Sequence, residues 1–416
     1  MNLNNTTKNK SMLDGVVIVA VTIIGAGMFS LPIVSAGMWF SWSVIFLVVV
    51  WFFMYHSGLM ILEVNLNYPV GSSFDTFVKD VLGSHWNLIN NIAICFVLYL
   101  LLYAYISGGG SVISHTLRES DKSSIDSRTA SMLFTFVLAS IIFLSAKLVS
   151  RVAATLILGM SIAFSMLIFD LNEHIKLSNL IDVGTKQTDY FIYALSALPF
   201  YLTSFGFHGN VPSLVKIYGK KAKTINRCIL YGTLIALFVY LVWLFSSLGV
   251  ISRSSFTDIL NQGGNIGQLV SALERISQSN TLSFLLNSFA NIAIITSFLG
   301  VGLGLFDFIS DKFRFTNDKT GRFKTALICF LPPLLGVTIH PNGFLYAIGF
   351  AAIGAAIWGA IIPALAVKAS RKKHLNPRYT LWGGNSLIYA VIIYGIVTIL
   401  AHLLAMLNLL PQSFTG

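Results

Sequence analysis

Long apolar runs alternate with short polar or charged segments from one end of the chain to the other. Each run is close to the ~20 residues a helix needs to cross ~30 Å of hydrocarbon. Eleven such runs lie near residues 14–37, 41–64, 87–112, 130–149, 152–171, 190–216, 228–250, 281–309, 324–340, 344–367 and 386–408. The pattern predicts an all-α polytopic membrane protein with 11 transmembrane helices, forming one transmembrane domain over residues 1–416. An odd number of spans places the two termini on opposite sides of the bilayer.

Composition agrees with this reading. Of 416 residues 55% are hydrophobic and 10% charged, with mean hydropathy +0.77, which excludes an ordinary soluble globular protein. The net charge of +11 sits in short segments between apolar runs. It lacks the folded basic face and interleaved aromatics of nucleic-acid binding, so the expected surroundings are membrane lipid and not nucleic acid. Cys95, Cys228 and Cys329 each lie in or beside an apolar run, and no disulfide framework, redox chemistry or cofactor is implied. The start resembles a leader, with Val34-Ser35-Ala36 as its cleavage site, but its apolar stretch is too long for one.

Lys and Arg are retained preferentially on the cytoplasmic side. With the N-terminus inside, 20 of the 27 fall in inner segments, from Lys8 and Lys10 to Arg378. The other seven, Arg118, Lys122, Arg128, Lys176, Lys186, Arg253 and Arg275, fall outside. The expectation is an inner-membrane protein with a cytoplasmic N-terminus and a periplasmic C-terminus.

Two spans break the rules of a lipid-facing helix. Midway through the first run stands Thr22-Ile23-Ile24-Gly25-Ala26-Gly27-Met28-Phe29-Ser30-Leu31-Pro32, and midway through the sixth Thr203-Ser204-Phe205-Gly206-Phe207-His208-Gly209-Asn210-Val211-Pro212. Gly costs about 1 kcal/mol and Pro about 3 kcal/mol inside a helix, and freed backbone groups in hydrocarbon cost several more. Gly for close helix packing is the plainer reading of either segment alone. Two breaks at matching depth, five spans apart, instead suggest an inverted 5+5 repeat, about 14–171 and 190–367, with residues 386–408 as an extra helix. Half-helix N-termini offer amides and the freed carbonyls offer acceptors, a combination suited to a zwitterionic amino acid. Gly25, Ala26 and Gly27 are candidates for its carboxylate, and the backbone of Phe205 and Gly206 for its ammonium. Phe205 and Phe207 are candidates for ring contact with an aromatic cargo.

Further candidates line the same depth. Tyr99, Tyr103, Ser107 and Ser111 form an i, i+4 stripe in the third span, for which interhelical bonding is the competing reading. Thr296 and Ser297 in the eighth span are ion-site candidates, although such hydroxyls more often bond back to their own helix. His208 is a candidate proton carrier, weighed against a permanently neutral His satisfying unwound backbone. Glu63 and Asp307, near cytoplasmic ends, are gate candidates or solvated caps. No HExxH, GxSxG, Walker A or HxxxxD pattern occurs, so the expectation is a non-enzyme. A channel-like pore is the alternative outside this class, although a duplicated pair of breaks fits a carrier better.

Several longer stretches are familiar: Gly25-Ala26-Gly27-Met28-Phe29; His56-Ser57-Gly58-Leu59-Met60-Ile61-Leu62-Glu63 running on to Gly71-Ser72-Ser73-Phe74-Asp75; Ser204 to Leu214; Ser297 to Asp307; and Pro341-Asn342-Gly343-Phe344-Leu345-Tyr346. Together they resemble the hydroxy and aromatic amino acid permease family, its tryptophan branch more than its tyrosine branch. The resemblance implies an eleven-span secondary importer of the amino acid, polyamine and organocation superfamily. It also implies a LeuT-like inverted-repeat fold and uptake of L-tryptophan or a related aromatic amino acid with protons. Relatives tend to carry a lysine in the middle of the fifth span, where this chain has Leu158-Gly159-Met160-Ser161. Ala293, Thr296 and Ser297 also match the spacing of sodium-coupled members of the wider fold, so both proton and sodium stay open.

Overall fold

The computed structural model describes residues 11–119, 125–181, 190–277, 279–374 and 377–411. Among these, every regular element is a helix. Lys8, Lys10, Lys122 and Lys186 lie outside the described residues.

Helix ends follow local chemistry. Ser11 caps α1 (Met12–Ile23) through the Leu13 amide. A 3₁₀ turn at Ala26–Phe29 leads into α2 (Ser30–Ser35) at a bend of 45° from α1. Then come α3 (Trp39–Asn65), α4 (Phe74–Leu82, capped by Ser73) and α5 (Ser84–Glu119). The 36 residues of α5 extend for roughly 54 Å, well beyond the hydrocarbon.

The run expected at 130–149 ends early. Ser145 is extended (φ −171°, ψ 135°), closing α6 (Ser127–Leu144) and capping α7 (Ala146–Asn172) through the Lys147 amide. Lys147 and Arg151 therefore stand in the first turns of α7 instead of in a loop. A short α8 (Leu177–Leu180) precedes α9 (Tyr190–Ser204), α10 (Asn210–Tyr218) and α11 (Ala222–Val250). Two helices without a counterpart in the hydrophobic pattern, α12 (Ser255–Asn261) and α13 (Ile266–Ser277), lead to α14 (Asn280–Phe313). Next are α15 (Lys319–Ile339), α16 (Phe344–Ala356), a π turn at Ile357–Ile361, α17 (Ile362–Lys373) and α18 (Gly384–Met406).

Nine of the described helical segments are long and apolar enough to cross a membrane, and the bent pair α1 and α2 makes a tenth. At 15 and 9 residues, α9 and α10 are each too short to cross alone. The two interrupted segments sit inside the bundle: α1 packs on α11, α2 and α3 on α9, and α14 on the 3₁₀ turn.

Candidate substrate site

At the first interruption Ile24 and Gly25 are extended, Gly25 with φ −164° and ψ −160°. Any residue adopts that conformation, so Gly25 is needed there for room. A Cβ on it would lie 2.5 Å from Ser297 Oγ. The Ala26 amide donates to that same Ser297 Oγ at 2.9 Å, and Ser297 is hydrogen-bonded to the Tyr105 hydroxyl. The Gly27 carbonyl accepts from Ser30 Oγ at 2.7 Å and, more distantly, from Ser204 Oγ at 3.4 Å.

The second interruption runs from Phe205 to Gly209, between α9 and α10. Phe205 is fully buried with its ring edge-on to Tyr240, centroids 5.3 Å apart. Phe207 is buried over Gly58, where a Cβ would come within 2.5 Å of the ring. The two breaks meet at α11: Tyr240 Oη lies 2.6 Å from the Ile23 carbonyl and 2.8 Å from the Ser204 carbonyl. Trp243 Nε1 donates to the Met28 carbonyl at 3.1 Å. Its ring joins Phe29 and Phe289 in an aromatic cluster with centroids 5.4–6.0 Å apart. Asn210 Nδ2, just past the second break, donates to Thr22 Oγ1, just before the first, at 2.5 Å.

Gly25, Ala26, Gly27, Phe205, Ser297 and the backbone around Gly206 are thus brought to one place. The two interruptions are joined through the Tyr240 hydroxyl, which meets a freed carbonyl from each. The model of the tryptophan/tyrosine permease family matches residues 8–402. The chain belongs to that family. It is 49% identical over 409 residues to a tryptophan-specific transport protein of Shigella flexneri, covering 98% of this chain and 99% of that one. It is 44% identical to the low affinity tryptophan permease of Escherichia coli K12, covering 97% and 98%. With a tyrosine permease of Enterobacter agglomerans the identity is 42%, covering 96% and 97%. A crystal structure of an Eremococcus coleocola manganese transporter variant superposes with a TM-score of 0.64 at 12% identity, covering 95% of this chain and 85% of that one. That likeness concerns fold alone. The protein is a transport permease and not an enzyme, and a multi-pass protein of the inner membrane.

Other residues singled out in this permease lie apart from the breaks. Tyr99 donates to the Ile328 carbonyl and Tyr103 to the His340 carbonyl, each at 2.8 Å. Ser107 donates to the Pro341 carbonyl at 2.5 Å, and Ser111 accepts from the Gly267 amide. The whole stripe therefore ties α5 to α15, to the turn after it and to α13. Thr296 Oγ1 faces the carbonyls of Ile292 and Ala293 in its own helix, at 2.9 and 3.0 Å, and Ala293 is fully buried.

His208 is fully buried beside Phe207, Trp358 and the Met54 backbone. Among the described residues its ring nitrogens have no side-chain partner, and the Met54 backbone is their polar neighbour. The Glu63 carboxylate is 1% exposed and takes a two-pronged ion pair from Arg371, at 2.6 and 2.8 Å, plus the Leu381 amide at 2.7 Å. Asp307 is exposed and joins no salt bridge among the described residues.

Hydropathy and spacing did not single out Tyr240, Trp243, Tyr105 or Phe289. Each is one aromatic among many, and only the packing reveals which carbonyl or ring it meets. The one available signal was a general one: a phenol or indole deep in a span has to find an acceptor.

Proposed function

We propose that this permease imports tryptophan by proton symport with alternating access, the amino acid's charged ends held by the two interrupted spans. The observation that carries the proposal is the convergence of the Ile23 and Ser204 carbonyls on one point, beside the Ala26 amide. Carbonyl ends of two half-helices favour an ammonium, and an amide at a half-helix start, met here by a neutral hydroxyl, favours a carboxylate. Similarity to a tryptophan-specific transport protein and a low affinity tryptophan permease supports the indole as the side chain carried. A tyrosine or broad aromatic permease is the second reading, favoured by the 42% identity to a tyrosine permease.

In this proposal Tyr190–Ser204 and Asn210–Tyr218 form one interrupted span, bringing the total to eleven. Spans one to five and six to ten are inverted repeats, with α18 added. The skew of Lys and Arg supports a cytoplasmic N-terminus and an outer C-terminus. His208 carries the coupling proton, supported by its burial at the second break with no side-chain partner for its ring nitrogens among the described residues. Glu63 belongs to an inner gate through Arg371, whereas Asp307 joins no salt bridge among the described residues.

The test is uptake of labelled tryptophan by proteoliposomes with proton and sodium gradients imposed separately. The expected result is saturable accumulation driven by the proton gradient, abolished in Gly27→Val, a variant that still inserts. His208→Gln is expected to lose gradient-driven accumulation while retaining tryptophan exchange. Accumulation driven by sodium alone would contradict the proton assignment, and wild-type rates in Gly27→Val would contradict the site.

A further inference from the structure

An interrupted helix leaves carbonyls without amides at the end of its first half and amides without carbonyls at the start of its second. In a continuous helix the Ile23 carbonyl would accept from Gly27 and the Ser204 carbonyl from His208. Here both face one phenol, Tyr240 Oη, at 2.6 and 2.8 Å. The Ala26 amide is met by Ser297 Oγ at 2.9 Å. Tyr240 and Ala26 are fully buried, and Tyr105, which bonds Ser297, is 7% exposed. The backbone groups that suit the two ends of a zwitterion are therefore already engaged by side chains from α11 and α14.

We infer that Tyr240 and Ser297 are internal surrogates for the cargo, a phenol O–H in place of its ammonium and a hydroxyl oxygen in place of its carboxylate. This rests on the proposed substrate site. The chemistry favours exchange in one direction: the phenol has a single proton to share between two carbonyls, whereas an ammonium brings three N–H donors and a full charge. A carboxylate is likewise a stronger acceptor for the Ala26 amide than a neutral hydroxyl. A molecule bearing one charge would displace one surrogate and leave the other seated, so the exchange selects for a zwitterion. The surrogates also let the carrier pass through a cargo-free stage of its cycle without unpaired backbone in a water-poor interior.

The test is tryptophan binding to purified full-length protein, by calorimetry and by melting temperature with and without tryptophan, in Tyr240→Phe and Ser297→Ala. Removing a competitor for the site is expected to lower the melting temperature without tryptophan. It is also expected to enlarge the rise that tryptophan produces and to tighten Kd by roughly fivefold, the worth of one net hydrogen bond. Net uptake is expected to slow more than tryptophan exchange, because only net uptake includes the cargo-free step. Equal loss of stability with and without tryptophan, at unchanged Kd, would reduce both residues to structural roles. A weakened Kd would make them direct ligands, and either result overturns the inference. A wild-type protein that binds no tryptophan would overturn the substrate assignment first. If Tyr240→Phe does not fold, Ser297→Ala carries the same expectations alone.

Discussion

Space around individual glycines separates those crowded at the candidate site from those that face open space. At Gly25 an added methyl would stand 2.5 Å from Ser297 Oγ, whereas at Gly300, three residues past that serine on α14, nothing lies within 4 Å. Gly25→Ala is therefore expected to fill the space beside the Ala26 amide that the cargo's carboxylate needs and to reduce tryptophan uptake by about tenfold, the worth of roughly one buried hydrogen bond with its desolvation. Gly300→Ala is expected to keep uptake and to raise stability by up to ~1 kcal/mol through helix propensity. Uptake assays together with thermal melts check both. At this scale the sequence pointed to the backbone's part of the candidate site, because Gly and Pro clustered at matching depth in two spans mark freed backbone without reference to any partner. It could not reveal the side-chain part. Tyr99 and Tyr103 stand on an evident stripe yet bond carbonyls of the Ile328 and His340 region. Tyr105, two residues on and off that stripe, is the one that reaches Ser297.

Among the elements, the C-terminal ends of α3, α4 and α17 are knitted by charge. Arg371 and the Leu381 amide hold the buried Glu63, Asn67 Nδ2 reaches Ser370 Oγ, and Lys373 pairs with Asp80 at 2.7 Å. Removing one partner of a buried ion pair strands the other, so Arg371→Ala is expected to cost about 3 kcal/mol of stability, read from the melting temperature. Glu63 was legible as an ionisable group near a span's end. Its partner, 308 residues away, was not.

Asp80 behaves differently because it is largely exposed. The Lys373 ammonium first, and the Tyr68 hydroxyl second, hold its carboxyl below the usual carboxylate range. Burial first, then the bond to Asp80, pushes the Tyr68 phenol up. A depressed carboxyl contributes stability above its ordinary value near pH 4, and that contribution is lost as pH falls through the folded value. This lattice is therefore expected to loosen only in stronger acid. Asp80→Asn should leave the pH profile of uptake between about pH 5 and 8 unchanged, and a shifted profile there would place the proton's step in this lattice instead of at His208.

For the molecule as a whole, hydrophobic runs located every long helix, since crossing hydrocarbon demands length and apolarity wherever the helix sits. They missed what obeys local rules: the turn at Ser145, the length of α5, and the helices α4, α12 and α13 outside the apolar runs. Orientation is checked in a background free of native cysteines, where a cysteine at Thr316 should react with an impermeant label only from inside and one at Gln262 only from outside. The central claim is that cargo is held by both of its charges at once, one at each interrupted span. Competition against labelled tryptophan uptake in proteoliposomes tests it most directly, with tryptamine, which lacks the carboxylate, and indole-3-propionate, which lacks the ammonium. Neither analogue should compete appreciably at concentrations where unlabelled tryptophan abolishes uptake; competition by either one as strong as by tryptophan itself would contradict the two-ended grip.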